Sequence, residues 1–376
     1  MSTQLEEFLK AKPRIDFLIA ILKTNIMSGP RKNRFFILFF ILFDVLYVYF
    51  LILHMKETIK CDISINFLLP LLISFIMIGY GVRMIVGILK KDKIEVLMKN
   101  IMSLYEENEE DEVIKGILEN HLKDSIKVYL FLNKWTVRLF ILATVCTSLY
   151  FRLNDDYGLM YALPFNVPEG TFWKETLFIL QGFFIGISSL HYISSDLGII
   201  FLAIQLIAEF KVLNDCMKLL NERIKTNPKF FRKIIERHCL VIRNANLLSD
   251  IISETAFMQL LNSCLTLLFV FSFLLKYLTG IGNYAMIIIA ATLSLPICFI
   301  GEFIRVKSNE LSETLWLINW YELSLKDQRI FLIVLRMAQR EYGLKAAGMY
   351  SVGFYTFLKI LKIAFSYSAI LYSLSK

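Results

Sequence analysis

Two lysines, Lys359 and Lys362, stand inside Ala346–Lys376, a stretch of mostly apolar residues at the end of the chain. As a helix, the stretch is long enough to cross a bilayer, which takes about 20 residues. At 100° per residue, Gly348, Ser351, Tyr355, Lys359, Lys362, Ser366, Ala369, Ile370 and Ser373 fall on one face. Phe354, Phe357, Leu358, Leu361, Phe365 and Leu371 cover most of the rest. A lysine at mid-depth in hydrocarbon costs about 2.5–3.5 kcal/mol or more unless it meets water or a partner. The chemistry this pattern suits is therefore ion passage along an aqueous pathway; a helix packed on its neighbours through small residues is the alternative. Catalysis has no support. No nucleophile and base share a recognisable motif, and there is no phosphate-binding glycine loop and no His-Glu-x-x-His. The six cysteines form no Cys-x-x-Cys pair, and His54, His121, His191 and His238 are scattered, so neither a metal site nor a cofactor is expected.

The elements that would position this face are membrane spans. The 376 residues are 56% apolar with a mean hydropathy of +0.57, which fits a polytopic membrane protein. Length and hydropathy predict seven spans: Phe35–Met55, Phe67–Leu89, Trp135–Leu153, Thr176–Ile207, Ala256–Leu278, Tyr284–Ile304 and Ala346–Leu374. The fourth is long, carries Ser194-Ser195-Asp196, and is expected to protrude from the bilayer as a continuous helix. Pro70 and Pro296 are expected to loosen or kink spans two and six. In the lead-in, residues 1–34, the patch Phe17–Leu22 is too short to span and would lie in the interface, with Gly29-Pro30 breaking it before span one.

Charge sets the orientation. Residues 1–34, 90–134, 211–255 and 305–345 hold 31 of the 41 lysines and arginines, whereas the alternate loops hold only Lys56, Lys60 and Lys174. The positive-inside rule then puts the amino terminus in the cytoplasm and, after seven spans, the carboxyl terminus outside. A net charge of +8 that lies beside membrane segments signals topology, not nucleic acid binding. The long basic loops also carry helical periodicity, at Ile114, Ile117, Leu118 and Leu122 and again at Ile234, Ile235, Cys239 and Ile242. They predict a packed helical layer that could hold subunits together. The acidic run Glu106–Glu112 reads as a solvated loop.

Several short motifs now resemble those of the insect odorant receptor family. Gly301-Glu302 followed by Trp320-Tyr321-Glu322-Leu323 is similar to its "G-E … W-Y" signature. Phe357-Leu358-Lys359-Ile360-Leu361-Lys362 and Ser366-Tyr367-Ser368 resemble its carboxyl-terminal ending, with one residue more between Lys362 and Ser366 than that pattern has. Leu163-Pro164-Phe165 before span four, Gly29-Pro30 and His238 also have counterparts in the family. The sister gustatory receptors usually end in a different motif. The family's co-receptor carries a large second cytoplasmic insertion that this chain lacks, so the chain looks like a ligand-tuned subunit. A G-protein-coupled receptor has the opposite orientation, and no G protein is implied.

The resemblance implies an all-α membrane protein of seven transmembrane helices. Residues 1–34 would be the lead-in, 35–304 the first six helices with the ligand site in their outer half, 305–345 cytoplasmic anchor helices and 346–376 the pore-lining helix. It further implies four subunits around a cation pore, assembly with co-receptor subunits in the plasma membrane of olfactory sensory neurons, surrounding lipid, and opening by a volatile odorant. By position from the carboxyl end, Ile370 matches the apolar gate, with Ser373 a turn further out and Ser366, Lys359 and Lys362 on the same stripe. Depth and side-chain type then nominate a pocket. Span two offers Leu71, Ser74, Phe75 and Ile78; span three, Thr147 and Tyr150; span four, Phe183, Phe184 and Ile187; span five, Leu267 and Phe271. A homotetrameric gustatory-type channel, or a secondary transporter, are the alternative readings.

Overall fold

A computed structural model describes residues 3–374 apart from 27–29, 60–64, 154–157, 169, 225–227 and 277–280. Gly29, Lys60, Cys61 and both chain ends lie outside the described residues. The helices are α1 (Thr3–Leu22), α2 (Arg31–Thr58), α3 (Ile65–Leu89), α4 (Lys91–Glu106), α5 (Glu112–Leu153), α6 (Thr171–Lys218), α7 (Leu220–Arg223), α8 (Pro228–Lys276), α9 (Ile281–Trp316), α10 (Leu325–Ala338) and α11 (Phe354–Leu374). A single 3₁₀ turn, Trp320–Glu322, precedes α10. A two-stranded antiparallel hairpin, β1 (Lys345–Ala346) and β2 (Tyr350–Ser351), precedes α11. Among the described residues α2, α3, α5 and α8 are long and apolar enough to cross a bilayer by length and composition. The remaining expected spans fall in α6, α9 and α11. In α6 the apolar run is diluted by Gln181, Ser188, His191, Ser194, Ser195 and Asp196, all on its membrane half.

Four helices are much longer than a bilayer is thick. α5, α6, α8 and α9 have 42, 48, 49 and 36 residues, and at about 1.5 Å each they continue well beyond the hydrocarbon on the basic side. The periodic loop segments are therefore the inward ends of the spans themselves. α6 is the centre of this layer. Phe201, Leu202, Phe210 and Leu213 are fully buried on different sides of it, as expected for a helix that is apolar all round. α1 packs into the same core through Phe8, Ala11, Ile15, Leu18 and Leu22. This corrects the expectation of a short interfacial patch at Phe17–Leu22. The apolar positions of α1 begin at Phe8 with helical spacing, and interspersed lysines and glutamates hide them from a hydropathy window. Phe8 stacks on Tyr105 of α4 at 4.4 Å, and the Tyr105 hydroxyl donates to Gln205 Oε1 of α6 at 2.7 Å.

Two further expectations change. The acidic run is a clasp and not a free loop: Glu107 pairs with Arg237, Glu109 with Lys233, and Asp111 with Arg223. The last helix starts at Phe354 and not at Ala346, because Ala347 and Gly348 take left-handed φ values of 50° and 69° and turn the chain back on itself. The hairpin is held to α8, where Ala347 N–H donates to Ser253 O at 3.0 Å and Gly348 N–H to Ser253 Oγ at 2.9 Å. Gly348 and Ser351 thus leave the helical stripe.

The layer also contains a buried acid. Glu209 of α6 is almost fully buried and accepts from Asn244 Nδ2 at 2.8 Å; Asn244 accepts in turn from Asn100 at 2.8 Å. Burial raises its carboxyl from 4.5 to about 7, partly opposed by the Asn244 hydrogen bond and the charge of Arg237. Between these two values the folded chain holds a proton that the unfolded chain has released. The cost of the ionised acid is therefore fully present above pH 7 and is relieved as pH falls toward 4.5. Glu209→Gln should raise the thermal midpoint of the solubilised protein at pH 8, corresponding to about 3 kcal/mol, and change it progressively less toward pH 5. A pH-independent difference between the two proteins would contradict this account.

Candidate permeation face and ligand chamber

One side of α11 packs on the bundle, and the exposed remainder mixes a polar stripe with large apolar side chains such as Leu358, Phe365 and Tyr367. Phe357, Ile360, Leu361, Ala364 and Ser368 repeat every three or four residues and turn toward the bundle. Ala364 joins Leu267 and Val270 of α8 in one buried cluster. Ser368 Oγ donates to Leu268 O at 3.0 Å and lies 3.1 Å from Ser272 Oγ. On the other side Tyr355, Lys359, Lys362, Ser366, Ile370 and Ser373 are all exposed, so the stripe faces away from the chain's own bundle. Neither lysine has an ion-pair partner among the described residues. Lys359 lies roughly 16 Å along the helix from Ile370, and Ser373 Oγ donates to Ile370 O at 2.7 Å.

The residues nominated for a pocket divide between separate environments. Phe184 is buried in an aromatic cluster that stacks it on Tyr47 at 5.1 Å and sets it edge-on to Phe50 and Tyr161 at 5.6 and 5.5 Å. Tyr150 packs with Leu69, Phe151 and Met160. Ile187 packs against Ile37 and Phe40 of α2. Leu267 and Phe271 face α11, with Phe271 edge-on to Phe365 at 5.9 Å. Leu71 and Thr147 are half-buried. Ser74 is buried, its hydroxyl donating to Pro70 O at 2.8 Å. Phe75, Ile78 and Phe183 are 46%, 56% and 60% exposed and lie on the outer surface of the bundle. The loop after α5 folds over the outer clusters: Met160 N–H donates to Gln181 Oε1 at 2.9 Å, and the Tyr161 hydroxyl to Leu177 O at 2.9 Å.

Two buried polar groups in the membrane half of α6 escaped the sequence reading. Asp44 of α2 accepts from Ser188 Oγ at 2.7 Å and lies 2.7 Å from His191 Nδ1. The His191 ring is stacked on Phe40 at 4.6 Å and is met edge-on by Tyr80 at 4.7 Å. One turn further along α6, Asp196 pairs with Arg83 of α3 at 2.5 Å. Arg83 also donates to Gln259 Oε1 of α8 at 2.9 Å and sits over the Tyr192 ring at 4.5 Å. The sequence reading gave Asp196 no partner; it forms a bundle-internal ion pair. The available signal was a single Asp and a single Arg, each isolated in an apolar run, where an unpaired charge would be prohibitive.

Comparison with known proteins fits this architecture. The family described as 7tm Odorant receptor matches residues 65–365. The chain belongs to the seven-transmembrane odorant receptor family. Among Drosophila melanogaster relatives, Odorant receptor 85c is 23% identical over 315 residues, covering 80% of each chain. Odorant receptor 33b is 29% identical over 96 residues, so the chain spans a quarter of that relative's length. The fold is similar to that of the insect olfactory receptor OR5 from Machilis hrabei in complex with eugenol, with a TM-score of 0.71 at 14% identity over 98% of this chain and 100% of that one. A second structure of that receptor gives a TM-score of 0.69 at 13% identity over 97% of this chain and 99% of that one. This odorant receptor is therefore an all-α protein of seven transmembrane helices.

The motifs of this odorant receptor have structural work. Gly301 of α9 lies where a Cβ would come within 2.1 Å of Val352 O, so only glycine lets the segment before α11 cross α9 this closely. Glu302 accepts from Phe354 N–H at 3.3 Å, putting a carboxylate at the positive end of the α11 dipole, and pairs with Arg305 at 2.5 Å. Trp320 stacks on Phe331 of α10 at 6.4 Å. In Ser366-Tyr367-Ser368 only Ser368 is buried, and it is the one bonded to α8. The Arg83–Asp196 pair gives a direct test of the bundle. Asp196→Leu should destabilise the receptor by about 3–5 kcal/mol by leaving a buried guanidinium unpaired, seen as lost surface expression. Arg83→Met combined with Asp196→Leu should recover most of it; a double variant as poor as the single one would show that the pair is not coupled.

Proposed function

We propose that this odorant receptor is the odorant-binding subunit of a ligand-gated, non-selective cation channel, assembled with co-receptor subunits in the plasma membrane of olfactory sensory neurons. The observation that carries the reading is the outward stripe of α11. Lys359, Lys362, Ser366 and Ser373 face away from their own bundle in a helix that the family places in the membrane. Hydrocarbon does not solvate such a stripe, so it needs water and other subunits around an axis. On that axis Ile370 forms an apolar constriction that blocks ions by dewetting. The charge asymmetry puts the lysines on the cytoplasmic side of it and the end of α11 outside.

A homomeric channel is the competing assembly. Four copies would bring Lys359 and Lys362 together fourfold. Unit charges 4 Å apart at an effective dielectric of about 20 repel by about 4 kcal/mol, which opposes cation passage. Partner subunits without those lysines relieve this, so the heteromer is favoured. Cells expressing the chain with the co-receptor should give odorant-evoked cation current, and cells expressing it alone should give none. Lys359→Gln should raise single-channel conductance or alter divalent permeability at unchanged odorant sensitivity. Ser373→Cys should react with a membrane-impermeant thiol reagent from outside. Wild-type conductance and ion selectivity in both Lys359→Gln and Lys362→Gln would remove the two lysines from the permeation path.

The odorant site is proposed in the outer half of the bundle, among α3, α5, α6 and α9. The inward-facing nominees are Leu71, Ser74, Thr147 and Tyr150. The side chains of Phe75, Ile78 and Phe183, on the outer surface, and the pair Leu267 and Phe271, against α11, are weaker candidates. Thr147→Leu or Leu71→Trp should shift the half-maximal odorant concentration by roughly tenfold or more, because one pocket contact is worth about 1–3 kcal/mol. Assembly with the co-receptor should be unaffected. Unchanged dose–response curves across all four positions would place the site elsewhere.

A further inference from the structure

A cavity of about 490 Å³ runs between α5, α6 and α9, distinct from the outer-half residues and from α11. Its wall along α6 starts at Tyr192 and ends at Lys211. Nineteen residues at 1.5 Å make this about 28 Å, against roughly 20–22 Å for one leaflet with its headgroups. The two ends differ in chemistry. At the membrane end the walls are apolar, with Ile193, Ile200, Phe299 and Phe303 prominent. The polar side chains there are already engaged: Asp196 holds Arg83, and the Tyr192 hydroxyl lies 3.5 Å from Arg83 Nη2. Apart from the Thr136 hydroxyl, that end offers an incoming molecule contact with hydrocarbon only.

The basic-loop end is the opposite. Lys211 is exposed, lines the cavity, and has no ion-pair partner among the described residues. Across from it on α5, Asp124 is exposed and also without an ion-pair partner among the described residues, whereas His121 is engaged with Asp215 at 2.7 Å. A cation and a carboxylate at the mouth of a long apolar slot match a phosphate and an ammonium carried on an acyl chain. We propose that this groove holds one zwitterionic phospholipid of the leaflet on the basic-loop side. One acyl chain lies along Ile193, Ile200 and Phe299, the phosphate meets Lys211, and the headgroup ammonium meets Asp124. An odorant would fill only part of the slot and leave Lys211 unused.

The test uses the full-length receptor, co-expressed with co-receptor, purified and washed in detergent, then supplied with palmitoyl-oleoyl phosphatidylcholine. Native mass spectrometry of the released chain should find one phospholipid retained. Retention should fall at least tenfold in Ile200→Trp, which fills the slot, and severalfold in Lys211→Glu. Because Ile200→Trp could fail to fold, the second measurement needs no variant. A phosphatidylcholine with a diazirine on its acyl chain should, on illumination of the wild-type receptor, label peptides containing residues 193–207 or 296–303. Labelling confined to other peptides overturns the proposal, as does retention equal in wild type and both variants. So does displacement of the bound lipid by eugenol at concentrations that leave phosphatidylcholine on the rest of the receptor.

Discussion

Hydrocarbon offers no hydrogen bonds, and this single constraint sorts the polar side chains of the bundle into two kinds. Those on the membrane half of α6 are closed within the chain: Asp44 with Ser188 and His191, Arg83 with Asp196 and Gln259. Each group joins α6 to a different neighbour, α2 in one case and α3 with α8 in the other. A buried pair of this kind adds little net stability, since desolvation offsets most of the attraction. It does fix how the helices meet, because a one-turn slip would leave charges unpaired. The polar side chains on the outward face of α11 are the other kind. Ser373 bonds only to its own helix, at Ile370 O, and Lys359 and Lys362 have no ion-pair partner among the described residues.

What holds α11 in place is consistent with that division. Along its inward face it meets α8 through small residues, Ala364 and Ser368, with hydroxyl-to-carbonyl bonding at Leu268. At its start it is tied to α9 by the close crossing at Gly301 and the Glu302 carboxylate, and to α8 by the hairpin on Ser253. Both ties are on the basic-loop side, next to the thick helical layer that has α6 at its centre. The far end of α11 lacks a comparable clamp among the described residues.

Much of this was legible in the sequence. Seven spans, their inward helical continuation, and the split of α11 into a polar and an apolar face follow from hydropathy, charge counting and the 3.6-residue period. The failures have physical causes. α1 was missed because an amphipathic helix averages to neutral in a hydropathy window. Helical periodicity says nothing of a backbone that reverses, so the turn at Ala347-Gly348 was read as helix. The pocket nominees were chosen by depth and side-chain type, and depth does not give azimuth. Phe183 and Phe184 are adjacent and equally deep, yet one is exposed and the other lies at the centre of an aromatic cluster. Arg83 and Asp196 were individually visible, but nothing in a single sequence announces that residues 113 positions apart form a pair.

The azimuths on α11 bear on how such a helix could gate. At 100° per residue, Ile370 is offset from Ser366 by about 40° and from Ser373 by about 60° around the axis. Both serines lie to the same side of it. If the stripe faces a pore axis, a turn of α11 by about half a residue step in one direction replaces an apolar ring with hydroxyls above and below it. Dewetting depends steeply on both the radius and the polarity of a constriction, so such a turn changes both at once. Ala364 and Ser368 on the inward face are small, and the Ser368 hydroxyl bonded to Leu268 O is what such a turn would have to exchange. The Gly301 crossing is the natural pivot: it joins the start of α11 to α9, one of the helices that would wall an odorant site. A shift of α9 against its neighbours would reach α11 at that tethered end, where the Glu302 carboxylate and the close backbone crossing join the two helices.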